Sequence, residues 1–324
     1  MTPMQKLVLW RLAQLPLILL AVYTLTFVLV WVIPGNPLEQ SEGRRPAPAV
    51  EAAMQAQWNL DDPWTFYWSY LGDISGVNWL LGNQQGAVFD FGPSLRHENW
   101  TVGELIGDQL PVSMTVGIAA ILLALILGIT AGTLGGLRPG RLIDGLTSGL
   151  TIIGVSIPAF VIAAALMLVG GVWLDWFPIG GWGSFAHVVL PAIALSLPFA
   201  AWIARLTRQG VIEQLQADYV RTVRAKGVSE HTVVLHHVLP NAMLPVLSYL
   251  GPATAAALTG SFVVEKVFAV PGLGMHFVDA VLSKDVTMIM GVVLTYSALL
   301  VLFNLAVDVL YAWIDPRVRV GASA

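Results

Sequence analysis

Long runs without charged residues are the feature that most restricts this chain. Six segments contain no Asp, Glu, Lys or Arg, and they lie within residues 12–38, 109–137, 145–174, 176–204, 231–264 and 286–307. A bilayer core of about 30 Å requires roughly 20 apolar residues in a helix, so each segment can span a membrane. Only 11% of all residues are charged, less than half of the ~25% of an ordinary soluble chain. We therefore predict an all-α membrane protein with six transmembrane helices.

The ends of three of these spans need adjustment. The run from Leu12 to Ile33 is too long for the apolar part of a signal peptide and has no small-x-small cleavage site, so it is expected to be the first span. The fifth span is placed at Ala242–Val264, because residues 231–240 are polar and end with a proline. The sixth is expected to continue past Asp308 to about Trp313.

The distribution of Lys and Arg predicts the orientation. With both termini in the cytoplasm, eleven cationic residues lie in cytoplasmic segments and five in extracytoplasmic ones. Because cytoplasmic loops of membrane proteins are enriched in Lys and Arg, both termini are predicted to be cytoplasmic.

This topology divides the chain into five parts. Residues 1–33 form the N-terminal tail and first span, and 34–108 form a long extracytoplasmic loop. Residues 109–313 form the core with five spans, which contains a cytoplasmic loop at 208–240, and 314–324 form a cytoplasmic tail. The extracytoplasmic loop is acidic and rich in tryptophan. It is expected to fold as an extramembrane cap with tryptophans at the headgroup level, or to act as a gate or docking surface.

The cytoplasmic loop carries an unusual concentration of cations. Arg205 lies just before it and Arg208 at its first position, and Arg221, Arg224 and Lys226 lie further inside it. Anchoring to anionic lipid explains the first two but not a structured loop. Residues 218–226 predict a helix that Gly227 terminates. Ser229 can cap a second helix, and Pro240 is expected to end it. The product is a helical knob between the fourth and fifth spans.

This loop resembles the conserved cytoplasmic loop of permeases in ATP-binding-cassette (ABC) importers. Ala225, Gly227, Leu239 and Pro240 fit its pattern of a small residue, a glycine and a later Leu-Pro pair. The residues Asp218-Tyr219 and 224–227 (RAKG) are similar to the dipeptide/oligopeptide branch, whereas the usual Glu-Ala-Ala start is replaced by Tyr219 and its neighbours.

Other segments resemble the same branch in the same order. They are 33–37 (IPGNP), 90–94 (DFGPS), 268–274 (FAVPGLG) and 304–319 (NLAVDVLYAWIDPRVR). The resemblance implies a type I ABC-importer permease fold and a pore subunit for peptides in the cytoplasmic membrane of a prokaryote. It further implies a coupling loop that contacts cytosolic ATPases, with the residues Asp218, Tyr219, Arg221, Arg224, Ala225, Lys226, Gly227, Leu239 and Pro240.

The resemblance also implies the partners. They are a second homologous permease, two cytosolic ABC ATPases and an extracytoplasmic solute-binding protein, with membrane lipid around the chain and no nucleic acid. A P-loop requires Gly-Lys, and none of the four lysines follows a glycine. We therefore expect no cofactor on this chain, with ATP and Mg²⁺ bound by the partner ATPases. The fifth span is expected to line the pore, with Met243, Thr254, Thr259 and Ser261 as candidates.

Two alternative functions remain open from the sequence. An ion-coupled secondary transporter would need a buried ionisable residue, for which Asp308 is the candidate, although its position near a span end favours a structural role. The second alternative is an ABC permease for nickel or another small solute. In that case the histidines of the cytoplasmic loop could contact the metal, although they are more simply read as surface residues; they are His231, His236 and His237. No catalytic cluster and no metal-ligand spacing is found, so an embedded enzyme is not expected.

Overall fold

The computed structural model describes residues 3–34, 38, 48–82, 87–97, 99–259 and 262–314. Apart from one isolated β-bridge between Pro93 and Thr101, the regular structure in these ranges is helical, which confirms the all-α prediction. The helices are α1 (Pro3–Val32), α2 (Pro48–Gln57), α3 (Pro63–Ile74), α4 (Val77–Leu80), α5 (Val102–Leu137), α6 (Leu142–Ser156), α7 (Ala159–Leu166, continued by a π-helix at Met167–Trp173), α8 (Ala186–Leu215), α9 (Asp218–Ala225), α10 (Glu230–Thr232), a π-helix (Val233–Val238), α11 (Leu239–Ala242), α12 (Leu244–Thr259), α13 (Phe262–Val267), α14 (Leu273–Ser283) and α15 (Val286–Ile314).

Spanning helices account for the predicted apolar segments. Five stretches of the described chain are long and apolar enough to cross a membrane, and they are Val8–Val32, Val102–Leu137, Ala186–Leu215, Leu244–Val267 and Val286–Leu310. The helix pair Leu142–Ser156 and Ala159–Trp173 gives a sixth span if it is counted as one, although it bends by 103°.

Pro158 causes this bend. Ile157 has φ −88° and ψ 124°, because the residue before a proline is pushed out of the α region. The helical pattern is therefore broken between α6 and α7.

The fourth span occupies only part of its predicted segment. Residues 176–185 carry no charge but are not helical, since they contain Pro178 and three glycines, of which Gly181 and Gly183 have φ of +98° and +129°. The helix α8 begins at Ala186 and continues past Ala204 to Leu215. Absence of charge alone therefore marks the wrong boundaries here.

The prediction that Pro240 ends a helix is wrong. The chain stays helical from Glu230 to Ala242, with a π-helix at Val233–Val238 directly before Leu239 and Pro240. A proline ring normally clashes with the carbonyl four residues earlier. The wider π-turn, which bonds residues five apart, makes room for the ring. The break falls instead at Met243, one residue before α12.

Two compact units make up the chain. The first comprises Met1–Leu12, Ser113–Val270 and Leu299–Ala324, and the second comprises Ala13–Val112 and Pro271–Ala298. In the first unit, α8 contacts α6, α7, α11 and α12. In the second, α3 packs on α1, and Asp285 before α15 accepts a hydrogen bond from Ser94 Oγ at 2.7 Å.

Glycines bring α5 and α8 of the first unit close together. A Cβ atom on Gly132 would lie 2.4 Å from the carbonyl oxygen of Ala204, and one on Gly128 would lie 2.7 Å from that of Ala200. These glycines are four residues apart, and such small-xxx-small frames allow close helix packing. Gly128 and Gly132 therefore serve packing within this unit.

A buried ion pair joins α6 to α8. Arg208 donates from Nε and Nη2 to the two carboxylate oxygens of Asp144 at 2.5 and 2.8 Å. The backbone N–H of Gly140 donates to the same carboxylate at 2.8 Å. Asp144 is only 5% exposed. The guanidinium of Arg208 is engaged by this carboxylate, a packing role that the sequence does not indicate.

Replacing Gly132 by Ala is expected to lower the free energy of unfolding by about 1–3 kcal/mol, the usual cost of overpacking. Gly145→Ala is the matched control, since a Cβ at Gly145 meets no atom within 4 Å. Thermal unfolding of the two variants in detergent measures the difference. Equal stability would show that α5 and α8 do not approach this closely.

Candidate functional site

The segment between α8 and α12, residues 216–243, is called here the connecting segment. It contains α9, α10, the second π-helix and α11, and it includes nearly all residues that the sequence assigns to the coupling loop. Because it is covalently continuous with two spanning helices, any displacement of it acts on both.

An aliphatic cluster fixes the connecting segment to α8. Val211 of α8 is buried together with Val220 of α9, Val233 and Val238 of the π-helix, and Ala242 of α11. Leu239 packs against this cluster, as do Leu215 and Val223. The segment therefore has its own small core and is not a loose loop.

Arg224 and Glu230 join α9 to α10. Arg224 donates from Nε to Glu230 Oε2 at 3.0 Å and from Nη2 to Oε1 at 2.5 Å, a two-bond arrangement. The Arg224 guanidinium holds the pKa of Glu230 below its usual value. The stabilisation is thus fully present above the unfolded-state pKa of about 4.5 and is lost as the pH falls through the lowered value. Both side chains are partly exposed, so the ion pair contributes little to stability. Its main effect is to orient α9 relative to α10.

The phenol of Tyr219 joins three parts of the site. Its hydroxyl lies 2.7 Å from Gln214 Oε1 and 3.1 Å from the carbonyl oxygen of His237, both possible acceptors. Asn241 Nδ2 donates to the Tyr219 hydroxyl at 3.1 Å and to the same carbonyl at 3.0 Å. The end of α8, the π-helix and α11 are therefore held together at one side chain.

The turn between α9 and α10 follows the sequence prediction. Gly227 has φ +76°, a left-handed conformation that glycine adopts at low cost. Ser229 is the N-cap of α10, and its Oγ accepts from the Thr232 N–H at 3.4 Å. A Cβ at Gly227 would meet no atom within 4 Å, so backbone conformation, and not crowding, requires glycine here.

The remaining coupling candidates lie on the surface of the segment. Ala225, Lys226 and Pro240 are exposed. Arg221 is exposed as well and makes a loose ion pair of 3.4 Å with Asp218. The segment thus presents these side chains on a base that has its own buried cluster. Sequence reasoning missed Gln214 as a partner of Tyr219 and Glu230 as a partner of Arg224.

The pore-lining candidates are less fully described. Met243 packs against the buried cluster of Ala124, Ala200, Ile203 and Val246. Thr254 lies in α12 and is half-buried. The side chain of Thr259 and the whole of Ser261 lie outside the described residues.

Asp308 has an arginine partner. Its Oδ2 lies 2.8 Å from Arg11 Nη2, so the charge within α15 is neutralised by α1. This contact accords with the structural reading of Asp308. Within the described ranges, no three His, Cys, Asp or Glu side chains come together in a group that could hold a metal ion.

Comparison with protein families gives two matches. Residues 103–320 match the family described as "Binding-protein-dependent transport system inner membrane component". Residues 4–117 match its N-terminal counterpart, described as "Binding-prot-dependent transport system membrane comp, N-term".

Named relatives match over almost their full length. The chain is 39% identical to the dipeptide transport system permease protein DppB of Bacillus subtilis, covering 93% of this chain and 94% of the relative. It is also 39% identical to the oligopeptide transport system permease protein OppB of Escherichia coli, covering 98% and 100%. The fold is similar to that of a solved inward-facing MetNI methionine ABC transporter chain, with a TM-score of 0.52 and 18% identity over 66% of this chain and 97% of that one.

Replacing Tyr219 by Phe is expected to loosen the connecting segment without unfolding the protein, since only the hydroxyl contacts are lost. A hydrogen bond contributes about 1 kcal/mol, so amide hydrogen exchange in residues 237–243 should become roughly fivefold faster. Tyr249→Phe, in α12 outside the segment, is the control. Unchanged exchange in Tyr219→Phe would contradict the joining role of this phenol.

Proposed function

The chain belongs to the family of binding-protein-dependent transport system inner membrane components, and we propose that it is the pore-forming subunit of an ABC importer that carries di- or oligopeptides across the cytoplasmic membrane. The observation that supports the substrate class is the near full-length similarity to dipeptide and oligopeptide permeases. The family supports the role of a transport subunit that has no catalytic activity of its own.

The assembly requires further subunits. Five or six spans are few for a pore, so a second homologous permease is expected to complete it. Two cytosolic ATPases supply the energy and bind ATP and Mg²⁺, since the chain has no Gly-Lys for a P-loop. A solute-binding protein delivers the peptide on the extracytoplasmic side.

The orientation follows from charge. The connecting segment and both termini face the cytoplasm, because eleven of sixteen Lys and Arg residues then lie on that side. The exposed cations Arg221 and Lys226 are placed where an ATPase can contact them.

The connecting segment is suited to transmit force. Its valine cluster packs directly on α8, and the chain continues from α11 into α12. A push from an ATPase on the exposed side of α9 therefore displaces α8 and α12 together. Such a displacement is the kind of rigid-body motion that alternating access needs. The proposed pore-lining positions lie in and next to α12, and they are Met243, Thr254, Thr259 and Ser261.

The ion-coupled alternative has less support. It needs a titrating carboxylate inside a span, and Asp308 is already paired with Arg11. A permease for nickel or another small solute would share the same fold and partners, so only transport measurements separate it from a peptide permease.

Purification of the tagged chain from its native membrane tests the assembly. A second permease and P-loop ATPases in stoichiometric amounts, identified by mass spectrometry, are the expected result. A chain that stays alone after crosslinking in membranes would contradict the proposal. ATP-dependent uptake of labelled dipeptides and longer peptides into proteoliposomes, with nickel ions as the comparison, then identifies the substrate.

Gly227→Val is expected to separate ATP hydrolysis from transport. A non-glycine residue at this φ costs about 1–2 kcal/mol, so the turn between α9 and α10 should relax and misplace the exposed face of the segment. Peptide uptake per ATP hydrolysed should fall about fivefold or more, while insertion into the membrane is retained.

The matched control is Gly82→Val. Gly82 has the same kind of backbone, with φ +73° and no atom within 4 Å of a Cβ, but it lies outside the connecting segment. Equal losses of peptide uptake per ATP hydrolysed in both variants would indicate general destabilisation. They would contradict the coupling role of Gly227.

A further inference from the structure

The helix α3 has two distinct faces. It buries Phe66, Tyr67 and Tyr70, whereas Trp64 and Trp68 are 70% and 65% exposed. These tryptophans are four residues apart and so share a face. Beyond α3, Leu80 and Leu81 are exposed as well. Residues 63–81 are called here the outer hairpin, and its exposed side chains are mostly apolar and aromatic, with Thr65 and Ser75 as polar exceptions.

The buried face of α3 packs against the C-terminal half of α1. The Tyr23 hydroxyl donates to the carbonyl oxygen of Tyr67 at 2.6 Å. The ring of Phe27 lies 5.1 Å from that of Tyr67, and the ring of Trp31 lies 5.4 Å from that of Phe66. The contacts thus extend from the end of α1 down to Tyr23.

The register of these contacts gives the depth of α3. Tyr23 precedes Ile33 by ten residues, which is about 15 Å along a helix. The apolar run Leu12–Ile33 measures roughly 33 Å, close to the ~30 Å of a bilayer core. Tyr23 therefore lies about 15 Å from the C-terminal end of this run, and α3 beside it lies below the end of α1.

Exposed side chains of α1 support this depth. Leu25, Val28, Leu29 and Val32 all lie on the part of α1 that α3 contacts, and all are exposed large aliphatics, with Val32 at 76%. If α1 were raised so that α3 stood in water, these four side chains would be in water too. Keeping them in lipid places α3 at lipid depth.

The exposed tryptophans lie at the same level. The ring of Trp68 is 5.0 Å from that of Tyr67, which in turn is 5.0 Å from the ring of Tyr23. The carboxylate within α3, that of Asp73, accepts a hydrogen bond from Asn78 Nδ2 at 2.7 Å. Asp62 caps the start of α3 by accepting from the Trp64 N–H, at the end nearest the surface.

We propose that the outer hairpin is inserted into the outer leaflet, the leaflet at the C-terminal end of α1, and that phospholipid acyl chains cover Trp64, Trp68, Leu80 and Leu81. This placement differs from the extramembrane cap that the sequence predicts. The hairpin thus anchors the first part of the long loop in lipid, and this inference does not depend on the transported solute.

Single-cysteine labelling tests this placement, since the chain has no cysteine. The full-length permease, with any partners that co-purify, is reconstituted in phospholipid vesicles. An environment-sensitive fluorophore is attached at Trp68→Cys and Leu80→Cys. Leu25→Cys, exposed on α1, is the lipid control, and Ala56→Cys, exposed on α2, is the comparison position outside the hairpin. Quenching by brominated lipid and by iodide on both sides is measured with and without the purified binding protein.

Brominated lipid should quench positions 68 and 80 about as strongly as position 25 and severalfold more than position 56, with little iodide quenching. Iodide quenching at 68 and 80 equal to that at 56 would overturn the proposal. Iodide quenching that disappears only when the binding protein is added would overturn it too, because the hairpin would then be a protein-docking surface.

Discussion

The packing of α8 against its neighbours is the constraint on which the first unit depends. In a bilayer, backbone polar groups must be satisfied within the protein, so spans are helical and irregular backbone needs protein around it. The helix α8 provides protein contacts to several neighbours at once. It contacts α6, α7, α11 and α12, and it approaches α5 through Gly128 and Gly132. The break at Pro158 is tolerated next to this helix, since α6 and α7 both pack on it.

Two kinds of interaction hold these helices, and they act differently. Glycine contacts set the distance between α5 and α8, because a side chain at Gly132 would overlap the backbone of α8. The Asp144–Arg208 pair sets the orientation of α6 relative to α8, because two parallel hydrogen bonds fix the angle between a carboxylate and a guanidinium. Truncating one partner of such a buried pair leaves an uncompensated charge, which is costly in a low-dielectric setting.

Local signals in the sequence predict local structure well. Absence of charge over twenty or more residues located the spans, and Gly227 and Ser229 predicted the turn of the connecting segment. A further local signal was overlooked: Thr101 and Glu104 form a capping box, in which Glu104 accepts from the Thr101 N–H at 2.9 Å. It explains why α5 begins at Val102, seven residues before the charge-free segment.

Contacts between distant residues could not be predicted in the same way. Asp144 and Arg208 are 64 positions apart, and a single sequence gives no reason to pair this carboxylate with one of sixteen cationic residues. The Tyr219 contacts depend on a π-helix that no periodicity rule anticipates, because its turn is longer than the 3.6 residues on which helix patterns are based. The depth of α3 depends on ring contacts with α1, which its composition does not encode.

The contact between Arg11 and Asp308 has a consequence for biosynthesis. The two residues lie at opposite ends of the chain, 2.8 Å apart in the folded protein. During translation, Arg11 enters the membrane boundary almost three hundred residues before its partner is made. Until the last span has inserted, the Arg11 guanidinium therefore lacks its carboxylate partner from α15. The contact closes only after Asp308 has been synthesised, so it can contribute to holding the finished fold but not to guiding the insertion of the first span.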